Sequence, residues 1–339
     1  MTIILLTFLI SCSSNDNWTE FRANGLPDHG DQYEDIIFIN DSTGYIGGRG
    51  QFAVEKGKSN SVPNEKAVLY KTTDRGKSWK KIQLDYVGSV SKIFCFKDTL
   101  IILLQHILAD TTYILKTINN GKSWDQLLVI PSNIYIRDIL FNNPEKGLVV
   151  TDNRKSQYLI LYESHKWDTL FQLSNKNFRH ILLGDRIISL IEPDGNATGV
   201  VQTLFNNKEK VVLNFDKIYF INSFIKDGDN ILFAAHDTVS GSILKLKNNK
   251  IEKILLGSFS NYIPDKVFSY GRTLIIIAHR HEDVAFLGVI HSLLISYDSG
   301  KTWTLEEIPS SMSPEPAFMY KDKYFISSSL PPGYLQIRQ

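Results

Sequence analysis

Lys71-Thr-Thr-Asp-Arg-Gly-Lys-Ser-Trp79 decides the fold, because the stretch returns twice: as Lys116-Thr-Ile-Asn-Asn-Gly-Lys-Ser-Trp124 and as Ile295-Ser-Tyr-Asp-Ser-Gly-Lys-Thr-Trp303. The shared frame is Ser/Thr-x-Asp/Asn-x-Gly-x-Ser/Thr-Trp. Leu69–Thr72 and Lys77–Ile82 read as two strands flanking a tight hairpin. Gly76, Gly121 and Gly300 sit where the turn needs positive φ, which glycine reaches at no steric cost. Asp74, Asn119 and Asp298 can fold their side chains onto backbone N–H groups of the turn. Trp79, Trp124 and Trp303 then place a large ring on the second strand, able to pack against a neighbouring unit. A calcium-loop reading of Asp74 and Asp298 lacks the regular oxygen ligands and the terminal Glu that such a loop needs.

The spacing implies a repeat. Trp79 and Trp124 are 45 residues apart, and Trp303 follows 179 residues after Trp124, close to four such periods. A period of this size predicts a propeller of four-stranded blades. Degenerate copies fall between: Tyr162-Glu-Ser-His-Lys-Trp167, Phe205-Asn-Asn-Lys208 and Lys247-Asn-Asn-Lys250. A second repeat, Asp35–Gly44 against Asp138–Gly147, has an apolar strand running into a polar Gly turn and reads as the two inner strands of a blade.

The frame resembles the Asp-box, or BNR repeat, of sialidases, sortilin-type receptor domains and photosystem II assembly-factor-like propellers. The resemblance implies a fold. It implies little about activity, since unrelated functions share this scaffold.

Seven blades are expected, with six as the alternative. They cover Asp35–Ile82, Val87–Leu128, Ile134–Phe171, Phe178–Leu213, Ile218–Leu255 and Val267–Ile308. A last unit holds three strands at Ala317–Tyr320, Lys323–Ser327 and Tyr334–Arg338. Asn17-Trp-Thr-Glu-Phe21 looks like the strand after one of the turns, so Trp18–Phe21 is expected to complete that last blade and remove an exposed sheet edge.

Residues 1–11 read as a signal peptide and 12–17 as a tether, leaving 18–339 as one all-β propeller domain. Met1–Ile10 is apolar and too short for a mature membrane span. Leu9-Ile-Ser-Cys12 resembles the bacterial lipoprotein box, which implies that Cys12 carries a lipid. Ser13 after it implies, by the same resemblance, an outer-membrane lipoprotein of the cell envelope, either face being open. With Cys12 acylated, only Cys95 remains, inside an apolar strand, so neither an intrachain disulfide nor a cysteine zinc site is expected. Net charge is +1 with no basic block, which disfavours nucleic acid. A monomer is expected, with no cofactor.

Function is sought on the face carrying the loops between second and third strands. Arg49, His106, Glu192, His236, His279, Arg280 and His281 lie at strand ends there and are candidates to line one mouth. Ala278-His-Arg-His-Glu282 has the residue types of a divalent-metal site, but solvated loop ends account for it, and no metal is expected. The sialidase resemblance implies three arginines gripping a carboxylate. Phe21-Arg-Ala-Asn24 departs from the Arg-Ile-Pro motif of those enzymes. Arg137, Arg179 and Arg272 lie near blade starts, but no pair of carboxylates can be placed together as glycoside hydrolysis requires. The expected function is a lipid-anchored envelope module that holds a protein or glycan partner. An exo-acting glycoside hydrolase of sialidase type and an assembly factor for an envelope complex are the alternatives.

Overall fold

The computed structural model of the chain describes residues 18–27, 31–50, 66–105, 111–131, 134–153, 156–174, 177–183, 186–192, 197–204, 210–237, 240–248, 250–280, 291–308, 317–320, 323–327 and 334–338. Residues 1–17, where the signal and tether are expected, lie outside them, Cys12 included. The described chain is built of antiparallel strands. They are β1 Trp18–Arg22, β2 Gln32–Phe38, β3 Gly44–Arg49, β4 Ala67–Thr72, β5 Lys80–Ile82, β6 Ser89–Phe96, β7 Thr99–Gln105, β8 Thr111–Thr117 and β9 Asp125–Pro131. They continue as β10 Tyr135–Asn143, β11 Lys146–Asp152, β12 Ser156–Glu163, β13 Lys166–Ser174, β14 Asn177–Leu183, β15 Arg186–Glu192, β16 Ala197–Leu204, β17 Lys210–Asp227 and β18 Asn230–His236. The last are β19 Gly241–Lys247, β20 Lys250–Leu255, β21 Tyr262–Tyr270, β22 Thr273–Arg280, β23 His291–Ser296, β24 Thr304–Glu307, β25 Ala317–Tyr320, β26 Lys323–Ser327 and β27 Tyr334–Arg338.

The architecture is an all-β propeller, but the blade count expected from the repeat is wrong. There are five blades of four strands, not seven or six: β2–β5, β6–β9, β10–β13, β21–β24 and the sheet β1-β27-β26-β25. The stretch read as the fourth and fifth units is one seven-stranded sheet, β14 to β20. The reason is β17. Its 18 residues pair with β16 over Lys210–Asn214 and again at Tyr219, and with β18 over Phe220–Asp227, without a turn between. The N-terminal β1 pairs with β27 from Trp18↔Arg338 to Arg22↔Tyr334, so the chain's two ends share a sheet. Neighbouring sheets meet through their first strands, and contacts of β2 with both β6 and β25 close the circle.

The packing follows from the residue pattern. Second strands are buried on both faces: Leu100–Leu104 of β7, Ile231–Ala235 of β18 and Leu274–Ala278 of β22. Their unbroken aliphatic runs suit a strand sandwiched between two others, each large side chain contributing about 1.5–3 kcal/mol on burial. The fourth strands β5, β20 and β24 are mostly exposed and rich in Lys and Glu, which discourages edge-to-edge pairing. Two of the core clusters join neighbouring sheets. One joins Tyr45, Ala67 and Leu69 to Val90, Ile93, Ile102 and Leu104. Another joins Leu232, Ala234 and Ile243 to Val267, Ile276 and Leu294.

The three repeated turns share one geometry. Thr72 Oγ1 accepts from the Gly76 N–H at 2.9 Å, and Asp74 Oδ1 accepts from the Ser78 N–H at 2.8 Å. The equivalent pairs are Thr117 with Gly121 and Asn119 with Ser123, then Ser296 with Gly300 and Asp298 with Thr302. Two residues in each turn have positive φ: Arg75 and Gly76, Asn120 and Gly121, Ser299 and Gly300. Each tryptophan immediately precedes its strand rather than lying on it. The Trp303 indole N–H donates to Leu255 O of the preceding sheet, whereas that of Trp79 returns to Gly76 O in its own turn. Trp167 donates to Leu127 O, again one sheet back, after a two-residue hairpin in which Ser164 and His165 both have positive φ.

These turns and the hairpins between first and second strands lie on one face. The Arg75 N–H donates to Ser42 O, and the Ser299 N–H to Arg272 O. The strand ends at Arg49, Gln105, Asp152, His236 and Arg280 therefore form the opposite face.

Candidate site at the mouth of the inner strands

The first strands carry a device the sequence did not disclose. β2, β6, β10, β17 and β21 each have a one-residue bulge near the end opposite the turns, leaving Glu34, Ser91, Arg137, Asn222 and Asp265 out of the pairing ladder. A bulge re-aims a side chain and locally increases twist. Five sheets thus place a polar residue at an equivalent height around the axis. In β21 the bulge follows Pro264, a residue with no N–H for the ladder.

The residues after two of the bulges, Asp35 and Ser223, link neighbouring sheets. Asp35 Oδ2 accepts from the Ile93 N–H at 2.7 Å, and Ser223 Oγ from the Val267 N–H at 3.3 Å. The Asn222 side-chain amide donates to Pro264 O at 2.8 Å. Asp35 keeps a little residue surface, but its carboxylate lies amid the inner strands. Burial pushes that carboxyl up from its ordinary value, opposed by the Lys92 charge, the Ile93 N–H and the Lys266 charge. A raised folded-state pKa means Asp35's contribution to stability is complete below the ordinary carboxylate pKa and is lost as pH rises through the folded value. Asp35→Asn retains an acceptor for Ile93 without the charge. It is expected to be about 1 kcal/mol more stable than wild type at neutral pH, the gap closing toward pH ~4, whereas Asp35→Ala orphans the amide and loses about 2 kcal/mol. Urea unfolding at the two pH values tests this. An Asp35→Asn protein less stable at neutral pH would mean that the two lysines outweigh burial.

Asp265 faces two imidazoles. Its Oδ2 lies 2.8 Å from His279 Nδ1 and 3.3 Å from His291 Nδ1. His279 on β22 and His291 on β23 are directly paired across the ladder, their rings edge to face with centroids 5.8 Å apart.

The sequence candidates divide. His279 belongs to this cluster. His236 does not join it by any contact: its ring stacks on Phe220 at 4.9 Å, and its Nδ1 faces Asp237 O. The Arg280 guanidinium lies over the Tyr262 ring at 5.5 Å. Arg49 Nε donates to Gln32 Oε1 at 2.7 Å. His106 and His281 lie outside the described residues, and Glu192 ends β15, whose side chains are not described. Asp265 and His291 were missed. The Pro-Asp pair inside the apolar run Tyr262–Tyr270 was the available signal for the first. The arginine set implied by the sialidase resemblance does not assemble at one end: Arg137 is a bulge residue, while Arg272 lies in the β21–β22 hairpin on the turn face.

The turn face has its own cleft, about 440 Å³, between the first two repeated turns. Lys71, Lys80, Lys81 and Lys122 line it beside Trp79 and Asn120, and Lys71 Nζ donates to Asn120 Oδ1 at 2.8 Å.

Cys95 is partly buried on β6, with burial pushing its thiol up to about 11 against the Lys71 charge. That thiol is a poor nucleophile at neutral pH.

No family model and no curated protein matches the chain. Solved structures do. A YCF48 protein bound to a D1 peptide is similar with TM-score 0.63 and 15% identity, over 96% of this chain and 96% of that one. The GH74 xyloglucanase of Xanthomonas campestris is similar with TM-score 0.60 and 9% identity, over 92% of this chain and 52% of that one. An acylaminoacyl peptidase of Pyrococcus horikoshii gives TM-score 0.60 and 12% identity, over 90% of this chain and 50% of that one. The chain spans about half the length of these two enzymes, and at such identities the likeness establishes the β-propeller fold.

Proposed function

We propose that this chain is a binding propeller that holds a segment of a partner protein at the mouth ringed by its inner-strand bulges. One observation carries the reading most directly. The peptide-bound propeller matches this chain along nearly the whole of both, whereas each enzyme matches it over only half of its own length. The ring of Glu34, Ser91, Asn222 and Asp265 supports it, since polar groups at equivalent heights suit the spaced polar groups of an extended peptide. A lipid on Cys12, holding the propeller at the envelope, belongs to the same proposal.

The experiment is site-specific photo-crosslinking in cells. A benzoylphenylalanine at Glu34 or Asn222 is expected to trap one or a few partner proteins, while one at Lys122 on the turn face traps none of them. Cys12→Ala is expected to move the chain out of the membrane fraction and weaken those crosslinks. Equal labelling from both faces, or none from the mouth, would overturn the proposal.

A further inference from the structure

We propose that Asp265, His279 and His291 form a binding site for a divalent transition metal of the zinc class, with two imidazole nitrogens and one carboxylate oxygen as ligands. One ligand atom from each residue lies within 4.8 Å of the other two. A metal with bonds of about 2.0–2.2 Å in tetrahedral geometry separates its ligands by roughly 3.4 Å. The 2.8 and 3.3 Å spacings from Asp265 Oδ2 to the two Nδ1 atoms approach that value from below. Shifts of about half an ångström admit the ion.

Three different strands deliver the ligands, and each has a structural reason. The bulge after Pro264 brings Asp265 off the ladder of β21. His279 and His291 are opposite each other on β22 and β23, so the sheet itself fixes their separation. Their backbone neighbours Ala278 and Ser292 are buried, which anchors both rings at the root. The side chains of His279, Asp265 and His291 are 19, 25 and 21% exposed. This is enclosed enough to hold geometry and open enough for an ion to enter.

The hydrogen bonding favours a metal over a closed polar network. His279 Nδ1 takes the good line to Asp265 Oδ2. His291 Nδ1 is buried and makes no hydrogen bond among the described residues, although it lies 3.3 Å from the same oxygen. One oxygen thus serves two imidazoles and satisfies one. A cation placed between the three would use both nitrogen lone pairs and the carboxylate charge together. The donor set, two imidazoles with one carboxylate, is one that zinc and other first-row ions accept while leaving coordination positions open.

The test uses the tag-free chain, stripped with chelator and titrated with Zn²⁺ by calorimetry. One equivalent is expected to bind with micromolar or tighter affinity and to raise Tm. His291→Gln and Asp265→Asn are expected to weaken binding about 100-fold or more. His165→Gln, on the turn face beside Glu145, is expected to leave it unchanged. Co²⁺ in the wild-type chain is expected to give visible d–d bands of a low-coordinate nitrogen and oxygen site, a readout that survives even if a variant fails to fold. No saturable binding by the wild-type chain, or affinity undiminished in a folded His291→Gln protein, would overturn the proposal. Crosslinking from Glu34 does not depend on the outcome, so this site and the partner reading fail separately.

Discussion

Gly241→Ala is expected to lose about 3 kcal/mol, one of the largest effects of any single methyl group in the molecule. Gly241 opens β19, its N–H donates to Ser260 O at 2.8 Å, and a Cβ there would stand 1.9 Å from Tyr262 O and 2.7 Å from Pro264 Cδ. The obstruction is backbone of the next sheet, which cannot rotate aside as a side chain would. Relief requires β19 and β21 to part, and β21 carries the bulge that positions Asp265. Gly271 makes the control. It sits in the β21–β22 hairpin at φ 60° with nothing within 4 Å of an added methyl, so alanine there costs only about 1 kcal/mol of backbone strain. The comparison is read from urea midpoints of the two variants. Equal losses would show that adjacent sheets separate at little cost.

Removing residues 1–23 is expected to destabilise the protein by about 5 kcal/mol and to drive association. β1 pairs with β27 over five positions, each backbone hydrogen bond contributing about 1 kcal/mol net. Ala23, removed with β1, is buried in a core cluster with Tyr33, Ile36 and Trp79. Without β1 the edge of β27 is bare, a template for a second copy. A lower unfolding midpoint together with a concentration-dependent rise in mass by light scattering would bear this out. A monomer of unchanged midpoint would mean that the end-to-end pairing contributes nothing.

The turns were legible because their determinants are local. A hydroxyl, a carboxylate or amide, and a glycine within five residues close the same hydrogen bonds wherever they occur. The pairing of β1 with β27 was legible for a related reason, since Trp18–Phe21 reads like the strands that follow those turns. The seven-stranded sheet was not legible. Val211–Phe224 contains no Gly or Pro to mark a boundary, and the repeat period imposed a break that the backbone does not make. The site was half legible. His279 showed itself as a histidine at the end of an apolar strand. His291 lies twelve residues later, and only the register of β22 on β23 brings the two rings together. Asp265 depends on a bulge that the Pro264-Asp265 pair hints at, but nothing along β21 says which side chains of the next strands it would then face.

The uninterrupted β17 also bears on how the molecule comes apart. In a ring of separate sheets each member can open alone, because its hydrogen bonds end where its own last strand ends. β17 belongs to both halves of its sheet, bonded to β16 along one stretch and to β18 along the next. Pulling it away from either partner strains its hold on the other. The segment from β14 to β20 therefore opens as one cooperative block, nearly a quarter of the chain exchanging its amide protons together while the four-stranded members breathe one at a time.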